Sequence, residues 1–217
     1  MISGPVEKES DPLRISIIGT GYVGLVSGVC LASTGHMVTC VDIKPEVVAR
    51  INRGQAPLYE PDLGNLLANV VAARKLRATD DVHRAVLDTD VTLICVGTPT
   101  VGGEVDLTQI VSASEGIGVA LAEKSTYHVV VVKSTVLPGT TEGVVKNAVE
   151  ARSGRPLGDG WGLCMNPEFL REGHAVEDFL ASDRVVIGAS EHRAAEVVLR
   201  VYEHLDCPKL VTSPQTA

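Results

Sequence analysis

A glycine-rich segment between an apolar run and a helical pattern constrains this chain more than any other feature. Residues 13–18 are mainly apolar and rich in β-branched side chains, which is typical of a buried parallel strand. Six residues with three glycines follow it, Gly19-Thr20-Gly21-Tyr22-Val23-Gly24, and a helical pattern then continues through Leu31. Because the glycines stand between a strand and a helix, they predict a dinucleotide-binding turn.

Each glycine has its own predicted role. Gly19 permits the tight turn, and Gly21 lets a pyrophosphate approach the backbone. Gly24 and Gly28 let the helix lie close to the strand. In this arrangement the phosphates lie against free N–H groups at the positive end of the helix dipole.

An acidic residue at the end of the next strand completes the predicted site. Strand pattern Met37–Val41 ends at Asp42, eighteen residues after Gly24. A carboxylate at this point accepts hydrogen bonds from the ribose hydroxyls of an adenosine and repels a 2′-phosphate, so we expect NAD⁺ to be preferred over NADP⁺. Lys44, two residues on, could receive that phosphate instead.

Length, charge and cysteine content limit the class of protein. The 217 residues correspond to one large domain or two small ones. A formal net charge of −8 argues against a nucleic-acid partner, and the chain lacks an apolar run long enough for a membrane span or a signal peptide. The five scattered cysteines favour free thiols in a reducing, cytoplasmic setting, and the six histidines form no metal-ligand spacing.

The rest of the chain alternates strand patterns with helical patterns. Further strands are expected at residues 76–79, 91–96, 129–132, 161–165, 185–187 and 209–211. Helices are expected at residues 46–52, 62–75, 81–87, 106–122, 141–151 and 191–204. This alternation predicts an α/β fold of the Rossmann-like, doubly wound kind, with a mainly parallel sheet and helices on both faces.

Polar residues collect where the predicted strands end. The segments are residues 19–24, Asp42, residues 97–100, residues 134–136 and residues 166–172. Since parallel strands carry their carboxyl ends at one edge, these segments should meet at a single ligand-binding edge.

Three of these segments also have simpler interpretations. Residues 97–99 could form an ordinary turn, and Ser134 and Thr135 could cap a helix. Glu168 and Glu172 stand four residues apart, so on a helical turn they would share one face, either as a solvated surface or as acid/base candidates.

Four motifs together resemble the UDP-glucose/GDP-mannose dehydrogenase family. They are Gly19-Thr20-Gly21-Tyr22-Val23-Gly24-Leu25, Cys95-Val96-Gly97-Thr98-Pro99, Lys133-Ser134-Thr135-Val136-Leu137-Pro138-Gly139-Thr140 and Asn166-Pro167-Glu168-Phe169-Leu170-Arg171-Glu172-Gly173. The likeness runs from about Leu13 to the last residue. Residues 183–188 are more similar to the UDP-glucose branch than to the GDP-mannose branch.

The resemblance implies an NAD-dependent oxidation of UDP-glucose to UDP-glucuronate, in which the sugar C6 alcohol becomes a carboxylate and two NAD⁺ are reduced. The implied cofactor-binding residues are Gly19, Thr20, Gly21, Tyr22, Val23, Gly24, Asp42, Val96, Gly97, Thr98, Pro99, Thr100, Ser134, Thr135, Val136 and Glu172. The implied substrate-binding residues are Glu168, Phe169, Leu170, Arg171 and Glu172. Glu168 would be the general base toward a water that hydrolyses a thioester intermediate, and Thr135 would help to place that water.

The chain also departs from the family pattern. The family's nucleophilic cysteine lies in a glycine-rich loop of a C-terminal domain, and its substrate-binding lysine and asparagine lie on or near a long central helix. Cys207 stands between Asp206 and Pro208 and lacks that setting, so it is not assigned as the nucleophile.

We therefore expect the NAD-binding half of a longer, homodimeric enzyme. The expected parts are a flexible tail over residues 1–12, a Rossmann domain over 13–212 and the start of a truncated central helix over 213–217. The alternatives are a GDP-mannose or UDP-N-acetylhexosamine dehydrogenase, or a dinucleotide-binding module without catalysis.

Overall fold

A central sheet of eight strands organises the molecule, and a separate two-stranded hairpin lies beside it. The structure is a computed structural model that describes residues 11–217, so residues 1–10 of the expected tail lie outside the described residues. The strands are β1 (Arg14–Ile18), β2 (Met37–Val41), β3 (Leu76–Thr79), β4 (Val91–Ile94), β5 (Thr100–Val101), β6 (Glu104–Val105), β7 (His128–Val132), β8 (Trp161–Met165), β9 (Val185–Ala189) and β10 (Lys209–Thr212). Their order in the sheet is β10-β9-β8-β7-β4-β1-β2-β3, and β5 pairs with β6 in the hairpin.

Helices cover both faces of the sheet. They are α1 (Tyr22–Ser33), α2 (Pro45–Asn52), α3 (Leu63–Ala72), α4 (Val82–Leu87), α5 (Thr108–Glu123), α6 (Lys146–Ser153), α7 (Ala175–Leu180) and α8 (His192–Val201). Alternate residues of a strand serve opposite layers, since Ile17 belongs to the core cluster that includes residues of α1, α3 and α8, whereas Ile18 belongs to the cluster that includes residues of α4, α5 and α6. The predicted Rossmann-like, doubly wound α/β fold is confirmed.

Two strands run against the other six. Strand β9 is antiparallel to β8, with Met165 opposite Gly188, and β10 is parallel to β9. Residues 166–184 connect β8 to β9, and α7 is the helix in this connection, with six residues. Because β9 is antiparallel to β8, the chain re-enters the sheet from the edge at which β8 ended, and this places Asp183 and Arg184 at the carboxyl edge of the six parallel strands.

Most predicted elements are confirmed with shifts of up to three residues at their ends, and three differ. The β5–β6 hairpin was not predicted because its strands have two residues each, joined by Gly102 and Gly103 with φ of +63° and +89°. Helix α7 was also not predicted. The helix expected over residues 141–151 begins with a π-helical turn, Thr141–Val145, before α6.

The remaining general features concern membranes, metals and thiols. Within residues 11–217, no helix combines the length and apolarity that crossing a bilayer requires. The same residues contain no group of three or more histidine, cysteine, aspartate or glutamate side chains placed to hold a metal ion. All five cysteines are free thiols, and four of them are buried.

Candidate active site at the carboxyl edge of the sheet

The glycine turn joins β1 to α1 at the carboxyl edge. Gly19 has a φ of +93°, a conformation that L side chains rarely adopt, and a Cβ there would lie 2.8 Å from the Cys95 carbonyl oxygen. A Cβ on Gly24 would clash with the carbonyl oxygen of Gly19. A Cβ on Gly28 would lie 3.1 Å from the Ile17 Cδ1 atom. The chain therefore packs helix, strand and turn at distances that only glycine allows.

The start of α1 is open toward the ligand side. Gly21 is the N-cap residue and is exposed, and no other described part of the chain lies within 4 Å of where its Cβ would be. The first N–H groups of a helix have no partner within that helix. An anionic group can thus reach free backbone donors, so this turn fits the pyrophosphate of a dinucleotide.

Asp42 is held beside the glycine turn. Its Oδ2 atom accepts hydrogen bonds from the Thr20 hydroxyl and from the Thr20 N–H at 3.2 Å. Its Oδ1 atom accepts from the Lys44 N–H at 3.0 Å. A carboxylate oxygen accepts about two hydrogen bonds, so Oδ1 keeps one lone pair for a ribose hydroxyl. The carboxylate is therefore oriented for a nucleoside before the ligand arrives.

The loops after β4 and β7 are tied to each other. The Thr98 hydroxyl donates to the Thr135 carbonyl at 2.7 Å, and the Ser134 hydroxyl donates to the Val96 carbonyl at 2.6 Å. The interpretation of Ser134 and Thr135 as helix caps is wrong, because the next helical segment starts only at Thr141. The two loops form one wall beside the glycine turn, and the Thr135 side chain stays exposed on it.

Glu168 and Glu172 do not share a helical face. Residues 166–171 are not helical, because Pro167 donates no backbone hydrogen bond and the Glu168 carboxylate accepts from the Leu170 N–H at 2.6 Å. Glu168 is half-buried and lines a cleft of about 470 Å³, whereas Glu172 is exposed beside α1. The expectation for a helical turn was therefore wrong, although both carboxylates lie at the carboxyl edge.

A buried polar cluster of Lys133, Asn166 and Tyr202 forms the floor of this cleft, and the sequence interpretation missed Lys133 and Tyr202. The Oδ1 atom of Asn166 accepts from Lys133 Nζ at 3.0 Å and from the Tyr202 hydroxyl at 2.6 Å, and all three side chains are buried. The Asn166 amide donates to the Val186 carbonyl at 2.8 Å. The presence of Lys133 and Asn166 in two motifs was the available signal, whereas Tyr202 carries none.

Two arginines that line the same cleft have different partners. The Arg171 guanidinium donates twice to Asp178, at 3.1 and 2.6 Å, and these bonds hold the pKa of Asp178 below its ordinary value. The Arg184 guanidinium lies over the Phe169 ring, 4.3 Å from its centre. A role of Arg171 in substrate binding stays a prediction, since Asp178 engages its guanidinium.

Curated proteins similar to this chain include 6-dehydrogenases of two nucleotide sugars. A UDP-glucose 6-dehydrogenase from Haloferax volcanii is 45% identical over 194 residues, which are 89% of this chain and 45% of that protein. A GDP-mannose 6-dehydrogenase from Pseudomonas syringae is 43% identical over 197 residues, 90% of this chain and 45% of that protein. The chain thus spans about half the length of the curated relatives that it matches.

Solved structures similar to this chain include dehydrogenases of the same two nucleotide sugars. A UDP-glucose dehydrogenase from Pyrobaculum islandicum has a TM-score of 0.93 at 42% identity, over 98% of this chain and 49% of that one. A GDP-mannose dehydrogenase from Pseudomonas aeruginosa has a TM-score of 0.92 at 41% identity, over 94% of this chain and 47% of that one. Residues 13–206 match the model of the UDP-glucose/GDP-mannose dehydrogenase family, NAD binding domain. The chain therefore belongs to this family and contains its NAD binding domain.

Proposed function

We propose that this chain is the cofactor-binding half of a nucleotide-sugar 6-dehydrogenase that oxidises UDP-glucose to UDP-glucuronate. The observation that carries the proposal is the meeting of three features at one sheet edge: the glycine turn, the Asp42 carboxylate and the Glu168 cleft. The preference for UDP-glucose rests on the sequence of residues 183–188. As in the sequence interpretation, residues 13–212 form the cofactor domain, residues 213–217 begin a central helix, and the full-length enzyme is a homodimer.

The cofactor side of the site is built by the first half of the chain. Bound NAD⁺ supplies a hydride acceptor. The free N–H groups at the start of α1 bind its pyrophosphate, and Asp42 accepts from its adenosine ribose. The wall formed by residues 96–100 and 134–136 excludes water on one side.

The proton-transfer side is assigned to the Glu168 loop. Glu168 is half-buried in the cleft wall, and one of its oxygens is fixed by the Leu170 N–H. We assign it as the general base toward the water that hydrolyses a thioester, with the exposed Thr135 hydroxyl helping to place that water. Phe169, Leu170 and Arg171 are assigned to the sugar side, and Glu172 to the junction of sugar and cofactor.

GDP-mannose is the second candidate substrate. It is supported by the GDP-mannose 6-dehydrogenases that match this chain at 41–44% identity, close to the 45% of the UDP-glucose relative. The test is to supply the full-length protein with NAD⁺ and either nucleotide sugar and to follow NADH absorbance. Turnover with UDP-glucose supports the first assignment, turnover with GDP-mannose replaces it with the second, and NAD⁺ binding without either turnover favours a binding module.

A further inference from the structure

Glu60 is a buried carboxylate that lies between three separate parts of the chain. It precedes α3 and is 4% exposed. It accepts hydrogen bonds from the hydroxyl of Tyr22, the first residue of α1, and from the N–H groups of Gly173 and Ala175 at 2.9 Å each. These partners lie in the fingerprint helix, at the end of the Glu168 loop and at the start of α7. One side chain therefore joins the cofactor side of the site to the proton-transfer side.

The charge of Glu60 is balanced by these donors, since it forms no ion pair within residues 11–217. Burial raises the pKa of its carboxyl, but the hydrogen bonds from Tyr22 and from the N–H groups of Gly173 and Ala175 outweigh burial and hold the pKa below its ordinary value. Burial and the bond to Glu60 in turn raise the pKa of Tyr22 to about 12. At neutral pH a carboxylate is thus paired with a protonated hydroxyl.

Gly173 links this contact to the proposed chemistry. Its φ of +86° turns its N–H toward both the Glu60 carboxylate, at 2.9 Å, and the Tyr22 hydroxyl, at 3.0 Å. Glu172 directly precedes Gly173, and its charge acts on the Tyr22 hydroxyl. The position of the Glu172 backbone therefore depends on the same bonds.

We propose that Glu60 is a positioning residue of the dehydrogenase: its carboxylate holds residues 172–175 against the first turn of α1 and thereby fixes Glu172 at the bound cofactor. The proposal rests on the proposed function, in which Glu172 lies at the junction of cofactor and sugar. A purely structural role for Glu60 is the competing explanation. It predicts lower stability with unchanged ligand affinity.

The informative variant is Glu60→Gln, which keeps the shape and removes the charge. Its single amide oxygen can replace only one of the two carboxylate oxygens, so its NH₂ group faces either the Ala175 N–H or the Gly173 N–H and a bond to residues 172–175 is lost. Hydrogen bonds to a charged group are the stronger class, so we expect NAD⁺ to bind about ten- to a hundredfold more weakly. We also expect faster amide exchange at Gly173 and Ala175. Glu60→Asp, which keeps the charge, should recover part of the affinity.

The matched control is Glu191→Gln. Glu191 also accepts a hydrogen bond from a tyrosine hydroxyl, that of Tyr127, but it lies at the start of α8, outside the carboxyl-edge site. We expect it to leave the NAD⁺ affinity within about twofold. Tyr22→Phe provides a milder test should Glu60→Gln fail to fold, because it removes one hydroxyl and leaves the Glu60 bonds to the backbone.

The experiment is calorimetry with NAD⁺ on this chain, together with amide exchange of the free and NAD⁺-bound forms. Weaker binding and faster exchange in Glu60→Gln, without either in Glu191→Gln, support the proposal. A lower melting temperature with unchanged NAD⁺ affinity overturns it. A wild-type chain that does not bind NAD⁺ overturns the proposed function instead. In that case exchange at Gly173 and Ala175 in the free protein still decides whether Glu60 holds this segment, and unchanged exchange overturns the inference.

Discussion

The Tyr202 hydroxyl donates a 2.6 Å hydrogen bond to Oδ1 of Asn166, and both side chains are buried under the Glu168 cleft. Tyr202 directly follows α8, and Asn166 directly follows β8. This bond ties the last helix to the loop that carries Glu168. Asn166 Oδ1 also accepts a hydrogen bond from Lys133, so two donors share this one oxygen at the floor of the cleft.

Tyr202→Phe should therefore destabilise the domain without unfolding it. The substitution removes the donor but leaves Asn166 Oδ1 paired with Lys133, so we expect a loss of about 1 kcal/mol in the free energy of unfolding, as for a single buried hydrogen bond. Asn166→Leu should cost about 3 kcal/mol or more, because the buried Lys133 ammonium then has no acceptor there. Urea unfolding of the variants measures both. Equal losses in the free energy of unfolding for Tyr202→Phe and Asn166→Leu would show that Lys133 finds another hydrogen-bond acceptor when Asn166 is replaced.

Asp42→Ala should weaken NAD⁺ binding. The loss of hydrogen bonds between a carboxylate and ribose hydroxyls corresponds to roughly 1.5–3 kcal/mol, or about ten- to a hundredfold in affinity. The wild-type chain should also prefer NAD⁺ over NADP⁺, since Asp42 repels the 2′-phosphate. Calorimetric titration with both cofactors tests this, with the exposed Asp159→Ala as control. Equal or tighter binding of NADP⁺ by the wild type would point to Lys44 as a phosphate ligand.

Acid should destabilise the protein through His128, which is fully buried between strands and helices. Its Nδ1 atom lies 3.1 Å from the Thr89 carbonyl, so Nδ1 carries the proton and Nε2 accepts from the Thr92 hydroxyl at 2.8 Å. Burial, and secondarily the charge of Lys124, lower the pKa of His128 to about 3 from an ordinary value of 6.5. The unfolded chain thus binds a proton that the folded chain does not.

This difference in proton binding makes the folded state less stable as the pH falls. Above pH 6.5 both states are neutral at His128, and as the pH falls from 6.5 toward about 3 the folded state loses about 1.4 kcal/mol per pH unit. Urea unfolding at pH 7 and pH 5 should show the loss, and His128→Gln should flatten it. The half-buried His83 provides the control His83→Gln. His36 and His204, whose pKa values burial also lowers, add to the slope in every variant. The same slope in wild type and His128→Gln would assign the effect to those two residues.

The sequence predicts those parts of the site whose structure is determined by residues close together in the chain. Gly19 and Gly24 belong to one turn, and the apolar runs around them specify strands whose carboxyl ends meet by topology alone. The bonds of Tyr202 to Asn166 and of Glu60 to Gly173 join residues 36 and 113 positions apart. No periodicity encodes such pairs, because they depend on the direction in which β9 re-enters the sheet and on where α7 begins.

Glu168→Gln in the full-length protein should separate the two halves of the reaction. If Glu168 is the base for thioester hydrolysis, the first hydride transfer survives and the second half slows, since the amide cannot accept the proton of water. A covalent enzyme–substrate adduct should then accumulate and be visible by intact-mass measurement. Glu196→Gln, at an exposed position of α8 outside the Glu168 cleft, serves as the control. Normal turnover without an adduct in Glu168→Gln would place the base elsewhere.

The last prediction concerns the chain by itself: it should bind NAD⁺ yet oxidise no nucleotide sugar. Binding is expected because the glycine turn, Asp42 and the wall of residues 96–100 and 134–136 are all present. Oxidation is not expected, because hydride transfer needs the sugar held in near-attack geometry, which can contribute roughly 7–11 kcal/mol to barrier lowering.

The proposed function places only part of the sugar pocket, namely Phe169, Leu170 and Arg171, in this chain. The chain spans about half the length of the relatives that it matches, and four of its cysteines, Cys30, Cys40, Cys95 and Cys164, are buried. Burial raises the pKa of Cys95 to about 12, so the thiol nearest the glycine turn is protonated and a poor nucleophile at neutral pH. The measurement is calorimetry with NAD⁺, followed by NADH absorbance with UDP-glucose present. Sustained NADH production would mean that this chain holds a working active site, with Cys95 and the half-buried Cys207 the first thiols to replace.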